Sequence, residues 1–221
     1  MLQDNKMISV TVNELRFSDL VKFCIYEAMF YITLYIPLKM LVLDTDAKIL
    51  IAYYLWAIFT FGLIRHLLTV RQMSFKDIGL RWDKPPGDLA WASLTFIILT
   101  FINALLISLL KPTGFSYPYL PMKVRLSVPL WVYITLIGPI VEEITFRGFL
   151  YNLCKHYLHP GISNLIVSAI FALFHPTKVF VYIFIFSLGI TLLYEKRKSL
   201  VAAVFVHIFQ NTMASILYSV R

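Results

Sequence analysis

The 221-residue chain is poor in charge. Asp, Glu, Lys and Arg make up 14% of it, against roughly 25% in an ordinary soluble domain. It carries only two cysteines, Cys24 and Cys154, both in apolar runs and without metal-type spacing. Neither a disulfide framework nor a Cys-based zinc site is implied, and both read as helix-packing residues. No internal repeat and no low-complexity segment is present. The first twenty residues carry Asp4, Glu14 and Asp19 among Lys6 and Arg16. No small-residue cleavage site ends the first apolar run, so no cleavable signal peptide is expected. What fills the composition instead is apolar: 59% of residues, with a mean hydropathy of +0.76 and 16% aromatics. That is more apolar surface than one globular core can hide, which excludes a soluble enzyme, a nucleic-acid binder and a disordered chain. The expectation is an all-α, polytopic membrane protein.

A spanning helix needs about 20 mostly apolar residues, which predicts about seven spans, near 22–43, 49–70, 88–110, 127–156, 161–175, 177–194 and 199–220. The fifth is short, and its break from the sixth, His175-Pro176-Thr177-Lys178, falls within the membrane rather than beyond it. The longest polar stretch, Arg71 to Asp88, holds Lys84-Pro85-Pro86-Gly87 and reads as a loop. One membrane domain, 1–221, is expected. The net charge of +8 reflects loops held against anionic headgroups. Seven spans put 13 Lys and Arg on the N-terminal face, Arg147 among them. Seven lie on the other: Lys39, Lys48, Lys111, Lys123, Arg125, Lys178 and Arg221. The positive-inside rule then places the N-terminus in the cytoplasm, in a multi-pass protein of the cell membrane.

Charge inside a spanning helix costs at least about 2.5 kcal/mol and defaults to a functional reading. Such residues cluster in the C-terminal half. Glu142, Glu143 and Arg147 lie in the fourth segment, His175 ends the fifth, and His207 and Asn211 sit in the seventh. Glu142 and His175 are each about fifteen residues, or about 22 Å, from the loop they share. His207 and Asn211 lie about 12 and 18 Å deep from the same face, so three helices carry polar groups to one level. Glu143 and Arg147 are i and i+4 with the acid first, the better order for a helical ion pair. Glu142 points about 100° away, free to face a cavity and act as a general base. His207 and Asn211, also i and i+4, present two neutral donors suited to an oxyanion, and His175 would share a water with Glu142. Taken singly, each has a structural reading: an ion pair, interhelical hydrogen bonds, a histidine at a helix end. Glu27 and His66 read as solvated or snorkelling.

E-E-x-x-x-R, F-x-x-x-H and H-x-x-x-N in this order resemble the motifs of the CPBP family, the CAAX proteases and bacteriocin-processing enzymes also called Abi. The segments are EEITFRGFLY, FALFHP and HIFQN. The resemblance covers about residues 125–215, leaving 1–110 as accessory helices. It implies a CAAX-protease-like helical core and an intramembrane endopeptidase. Glu142 and His175 would then activate water, His207 and Asn211 would stabilise the oxyanion, and Glu143 and Arg147 would support the site. The glutamate mechanism of such enzymes needs no cofactor. Zinc is the alternative, since two histidines and a carboxylate suffice for a three-ligand site, although H-E-x-x-H is absent. The partners implied are the lipid bilayer and a membrane peptide or protein substrate, CAAX-like or bacteriocin-type. A short chain of bacterial type favours peptide maturation, self-immunity or regulated proteolysis over CAAX processing proper. A different class stays open: a catalytically silent immunity or scaffold protein that binds a peptide or a transporter. The oligomeric state is unassigned.

Overall fold

The computed structural model describes residues 14–40, 45–110 and 127–219. Lys6, Lys111, Lys123, Arg125 and Arg221, used in the charge tally, lie outside the described residues. The described residues form seven helices and no strand. They are α1 (Phe17–Leu38), α2 (Ala47–Val70), α3 (Pro85–Leu106), α4 (Val128–Tyr157), α5 (Pro160–Leu173), α6 (Thr177–Arg197) and α7 (Leu200–Leu217). Six are long and apolar enough to cross a bilayer, and the chain is a multi-pass membrane protein.

α5 is the exception. His159 caps it, its Nδ1 accepting the Gly161 N–H at 3.2 Å, and Pro160 opens it. Pro176 then removes the backbone donor that a further turn would use. The resulting 14 residues rise only about 21 Å, short of the roughly 30 Å hydrocarbon layer. His175 therefore follows a helix too short to cross that layer, as the short fifth segment predicted. α1 begins at Phe17 rather than near residue 22. Asp19, which reads as a loop charge in the sequence, is fully buried. It accepts the Arg16 N–H at 2.8 Å and two bonds from Arg71, at 2.8 and 2.9 Å. Glu27 also departs from the solvated reading: it accepts the hydroxyl of the buried Thr60 at 2.7 Å, tying α1 to α2.

Polar ties gather one end of the bundle. Arg71 meets Asp19 there, the Phe17 N–H reaches the Tyr157 hydroxyl at 3.2 Å, and Lys155 pairs with Glu195 at 2.9 Å. Arg197 and Ser199 both donate to Asp88, at 2.8 and 2.6 Å. The start of α1, the α2–α3 connection, the end of α4 and the α6–α7 turn thus share one end, which fixes the up-and-down order of the helices. Within the α2–α3 connection the Ser74 N–H and hydroxyl both donate to Asp77, at 2.7 and 2.8 Å. These bonds hold its carboxyl below the usual range.

The same connection plugs the base of the helical core. Ile78 is fully buried, its carbonyl accepts the Tyr194 hydroxyl at 2.9 Å, and the Gly79 carbonyl accepts the Leu200 N–H at 2.8 Å. Gly79 has φ +92°, and a Cβ there would lie 3.0 Å from Tyr194 and 3.2 Å from the Lys198 carbonyl. Gly79→Ala is therefore expected to cost on the order of 2 kcal/mol, read as a fall of several degrees in the unfolding temperature of the purified protein. An unchanged temperature would mean that the loop yields.

Candidate active site

α4 is not a regular helix. It changes to π geometry over Tyr133–Ile137, returns to α over Gly138–Glu143, and is π again over Ile144–Tyr151. π-turns are often found at functional sites because they release backbone carbonyls from the i−4 ladder. Here the Ile134 carbonyl accepts the side-chain N–H of Asn211 from α7, at 2.8 Å. The α-helical interval between the two π segments carries both glutamates.

Glu143 and Arg147 form the expected pair, Nη1 to Oε1 at 2.8 Å, with both side chains fully buried. Arg147 thus faces the bundle and not the polar end, and it leaves the surface tally. The guanidinium also donates from Nη2 to the Ser187 hydroxyl at 2.7 Å and from Nε to the Thr191 hydroxyl at 3.2 Å. It lies 4.7 Å from the Phe171 ring centre. Four partners satisfy a charge that would otherwise be very costly to bury.

His207 stands between the glutamates. Its Nδ1 is 2.8 Å from Glu143 Oε1, and its Nε2 is 3.7 Å from Glu142 Oε2. An ionised carboxylate only accepts, so Nδ1 carries the proton shared with Glu143. A neutral His207 then has a bare Nε2 directed toward Glu142. The Glu142 side chain keeps 25% of its exposure, whereas His207 keeps 4%. The 100° offset between adjacent glutamates thus sends one carboxylate into the ion pair and leaves the other accessible. The second oxygen of Glu143, Oε2, is buried with no partner among the described residues. Gly138 stands one turn before Glu142, and a Cβ there would sit 3.7 Å from Glu142 Oε1 and 3.2 Å from the Tyr133 carbonyl.

His175, half-buried at the end of α5, has its Nδ1 2.8 Å from the Phe171 carbonyl. A carbonyl only accepts, so Nδ1 is the donor and Nε2 is left bare. The Phe171 ring links the two histidines, its centre 4.8 Å from His175 and 5.9 Å from His207. No ion pair joins His175 to Glu142 among the described residues; the contacts of His175 are to Phe171. No group of three His, Cys, Asp or Glu side chains among the described residues is placed to hold a metal ion, so His175, His207 and Glu142 do not fit a zinc site as they stand. Of the six residues expected from the sequence, Glu142, Glu143, Arg147 and His207 are joined in one cluster, His175 is linked to it through the Phe171 ring, and Asn211 ties α7 to α4 at Ile134. The neighbours that the motifs do not contain are Ser187 and Thr191, whose only trace in the sequence is an i, i+4 pair of hydroxyls in an apolar run.

Residues 124–213, which hold every one of these groups, match the family model described as Type II CAAX prenyl endopeptidase Rce1-like. This region belongs to the CPBP, or CAAX protease, family. None of the curated proteins and none of the solved structures matches the chain. The CAAX-protease region corresponds to α4 through most of α7. α1 to α3 lie outside the match yet pack against it: Ile78 fills the space beside Gly148, and the Phe23 ring lies 5.2 Å from that of Phe149.

Proposed function

We propose that the protein is an intramembrane endopeptidase that hydrolyses a peptide bond of a membrane-associated substrate with water activated by Glu142. The observation that carries this reading is His207 lying between an accessible glutamate and a buried one. A water held by Glu142 and the bare Nε2 of His175 loses a proton to the Glu142 carboxylate, and the hydroxide attacks the scissile carbonyl. The oxyanion accepts from Asn211, which has a second N–H beyond the one given to Ile134, and from His207 Nε2. Because Nδ1–H is committed to Glu143, Nε2 is bare in the resting neutral ring; it donates to the oxyanion after taking a proton from solvent and gives that proton back when the product leaves. Glu142 then passes its proton to the leaving amine, the C–N bond breaks, and the site returns to its starting charge. Glu143 and Arg147 hold His207 rather than touch substrate.

The family match supports a CAAX-type tail as substrate; an unprenylated, bacteriocin-type peptide is the alternative. The Lys- and Arg-rich end, with Arg65, Arg71, Lys155, Arg197 and Lys198, supports a cytoplasmic N-terminus. The test is cleavage of a fluorogenic farnesylated CAAX peptide and of an unprenylated membrane peptide in proteoliposomes. The parent is compared with Glu142→Ala, His175→Ala and His207→Ala at matched folded protein. The parent is expected to cleave at least one peptide, Glu142→Ala and His207→Ala to lose at least about a hundredfold, and His175→Ala at least about tenfold. Full activity in all three variants would refute the assignment. A cellular phenotype that survives without any cleavage would favour the silent binding protein.

A further inference from the structure

Behind Arg147 the polar contacts continue through α6, which contributes no motif residue, and on to the part of α5 that precedes its motif. The Ser187 hydroxyl accepts from Arg147 Nη2 at 2.7 Å and donates to the Ser168 hydroxyl at 3.0 Å. Ser168 in turn donates to Asn164 Oδ1 at 3.0 Å, and the Asn164 amide donates to the Leu188 carbonyl at 3.3 Å. Thr191 takes the Arg147 Nε–H and gives its own proton to the Ser187 carbonyl at 2.9 Å. Ser168, Ser187 and Thr191 are fully buried, and Asn164 keeps 6% of its exposure.

Close approach of α5 and α6 alone needs only small residues, and glycine or alanine would serve. Hydroxyls at these positions carry a cost in lipid that is offset only where they are bonded, and here each bond has one direction. A serine hydroxyl has a single proton. With that of Ser187 committed to Ser168, and that of Ser168 to Asn164, a lone pair of Ser187 is turned toward Arg147. Arg147 is thereby held at a fixed angle to Glu143. Glu143 uses one oxygen, Oε1, for both Arg147 and His207, so any swing of the guanidinium moves the acceptor of the His207 proton.

We propose that Ser187, backed by Ser168 and Asn164, is a positioning residue for the reaction. Through Arg147 and Glu143 it fixes which nitrogen of His207 carries the proton and where Nε2 points. The inference rests on the hydrolytic reading above for its effect on rate, but not for its effect on His207.

The experiment compares the full-length parent with Ser187→Ala, Ser187→Thr and Ser168→Ala in proteoliposomes, using the peptide that the parent cleaves best. Ser187→Ala is expected to lower kcat about 10- to 100-fold, as misplacement of a catalytic group does, with KM within about twofold. Ser187→Thr, which keeps the hydroxyl, is expected to recover most of the rate. Ser168→Ala, one bond further out, is expected to lose only about threefold. Nitrogen-15 spectra of histidine-labelled protein, with His207 assigned by its absence in His207→Gln, supply a readout that needs no turnover. The parent is expected to show Nδ1 protonated, and Ser187→Ala a mixture of tautomers. Parental kcat and an unchanged His207 signal in Ser187→Ala would overturn the proposal. So would equal losses in Ser187→Ala and Ser187→Thr that track a fall in unfolding temperature. A parent that cleaves no peptide, while Ser187→Ala still redistributes the His207 proton, would remove the hydrolytic reading and leave the positioning chain standing.

Discussion

Glu142→Gln is expected to abolish hydrolysis, by about a hundred- to ten-thousandfold in kcat, while the protein folds as before. Glutamine keeps the shape and most of the hydrogen bonding of the side chain but cannot take a proton from water. The position tolerates the change because the Glu142 side chain is a quarter exposed and is not the carboxylate that balances Arg147. The expected signature is an unfolding temperature within a degree or two of the parent with no measurable turnover. His175→Ala should cost less, about ten- to a hundredfold, because Glu142 can still bind water without its neighbour. Parental activity in Glu142→Gln would exclude this side chain as the base.

The second large effect concerns stability. Arg147→Met is expected to cost about 3–5 kcal/mol, the usual consequence of leaving one member of a buried ion pair without its partner. Net stabilities of folded proteins are about 5–15 kcal/mol, so this is a large share. It corresponds to a fall of about 10 °C or more in the unfolding temperature, or to loss of folded protein. Arg147→Lys should rescue little, because an ammonium cannot reach Glu143, Ser187 and Thr191 together. The double variant Arg147→Met, Glu143→Gln removes both charges and is expected to regain much of the stability. It should remain inactive, since His207 then lacks the carboxylate that orients it. Differential scanning fluorimetry and the peptide assay on the same preparations separate the two outcomes. A double variant no more stable than Arg147→Met would mean that the pair is not what the fold depends on.

The spacing of a few polar residues in apolar runs made much of the site readable. The i, i+4 relation predicted the Glu143–Arg147 bond. Pro160 and Pro176 bracket the short α5 in the sequence as they do in the fold. What could not be read is what depends on neighbours distant in the chain. Asp19 reads as a loop charge until Arg71, 52 residues away, is placed beside it. Glu27 acquires Thr60 in the same way. The π-turns of α4 leave no mark in a pattern of apolar residues, so the Ile134 carbonyl waiting for Asn211 was hidden. Ser168, Ser187 and Thr191 are common residues in membrane helices, and nothing in their spacing points to a guanidinium.

The central claim is that water reaches Glu142 from within a lipid-embedded bundle. Cysteine accessibility tests it most directly. In a background with Cys24 and Cys154 replaced by serine, Glu142→Cys is treated in proteoliposomes with a small membrane-impermeant methanethiosulfonate, beside Val167→Cys, whose position is fully buried. Rapid modification of Glu142→Cys with Val167→Cys protected is the predicted result. A Glu142→Cys as unreactive as Val167→Cys would contradict the claim, since a carboxylate sealed from solvent has no water to activate.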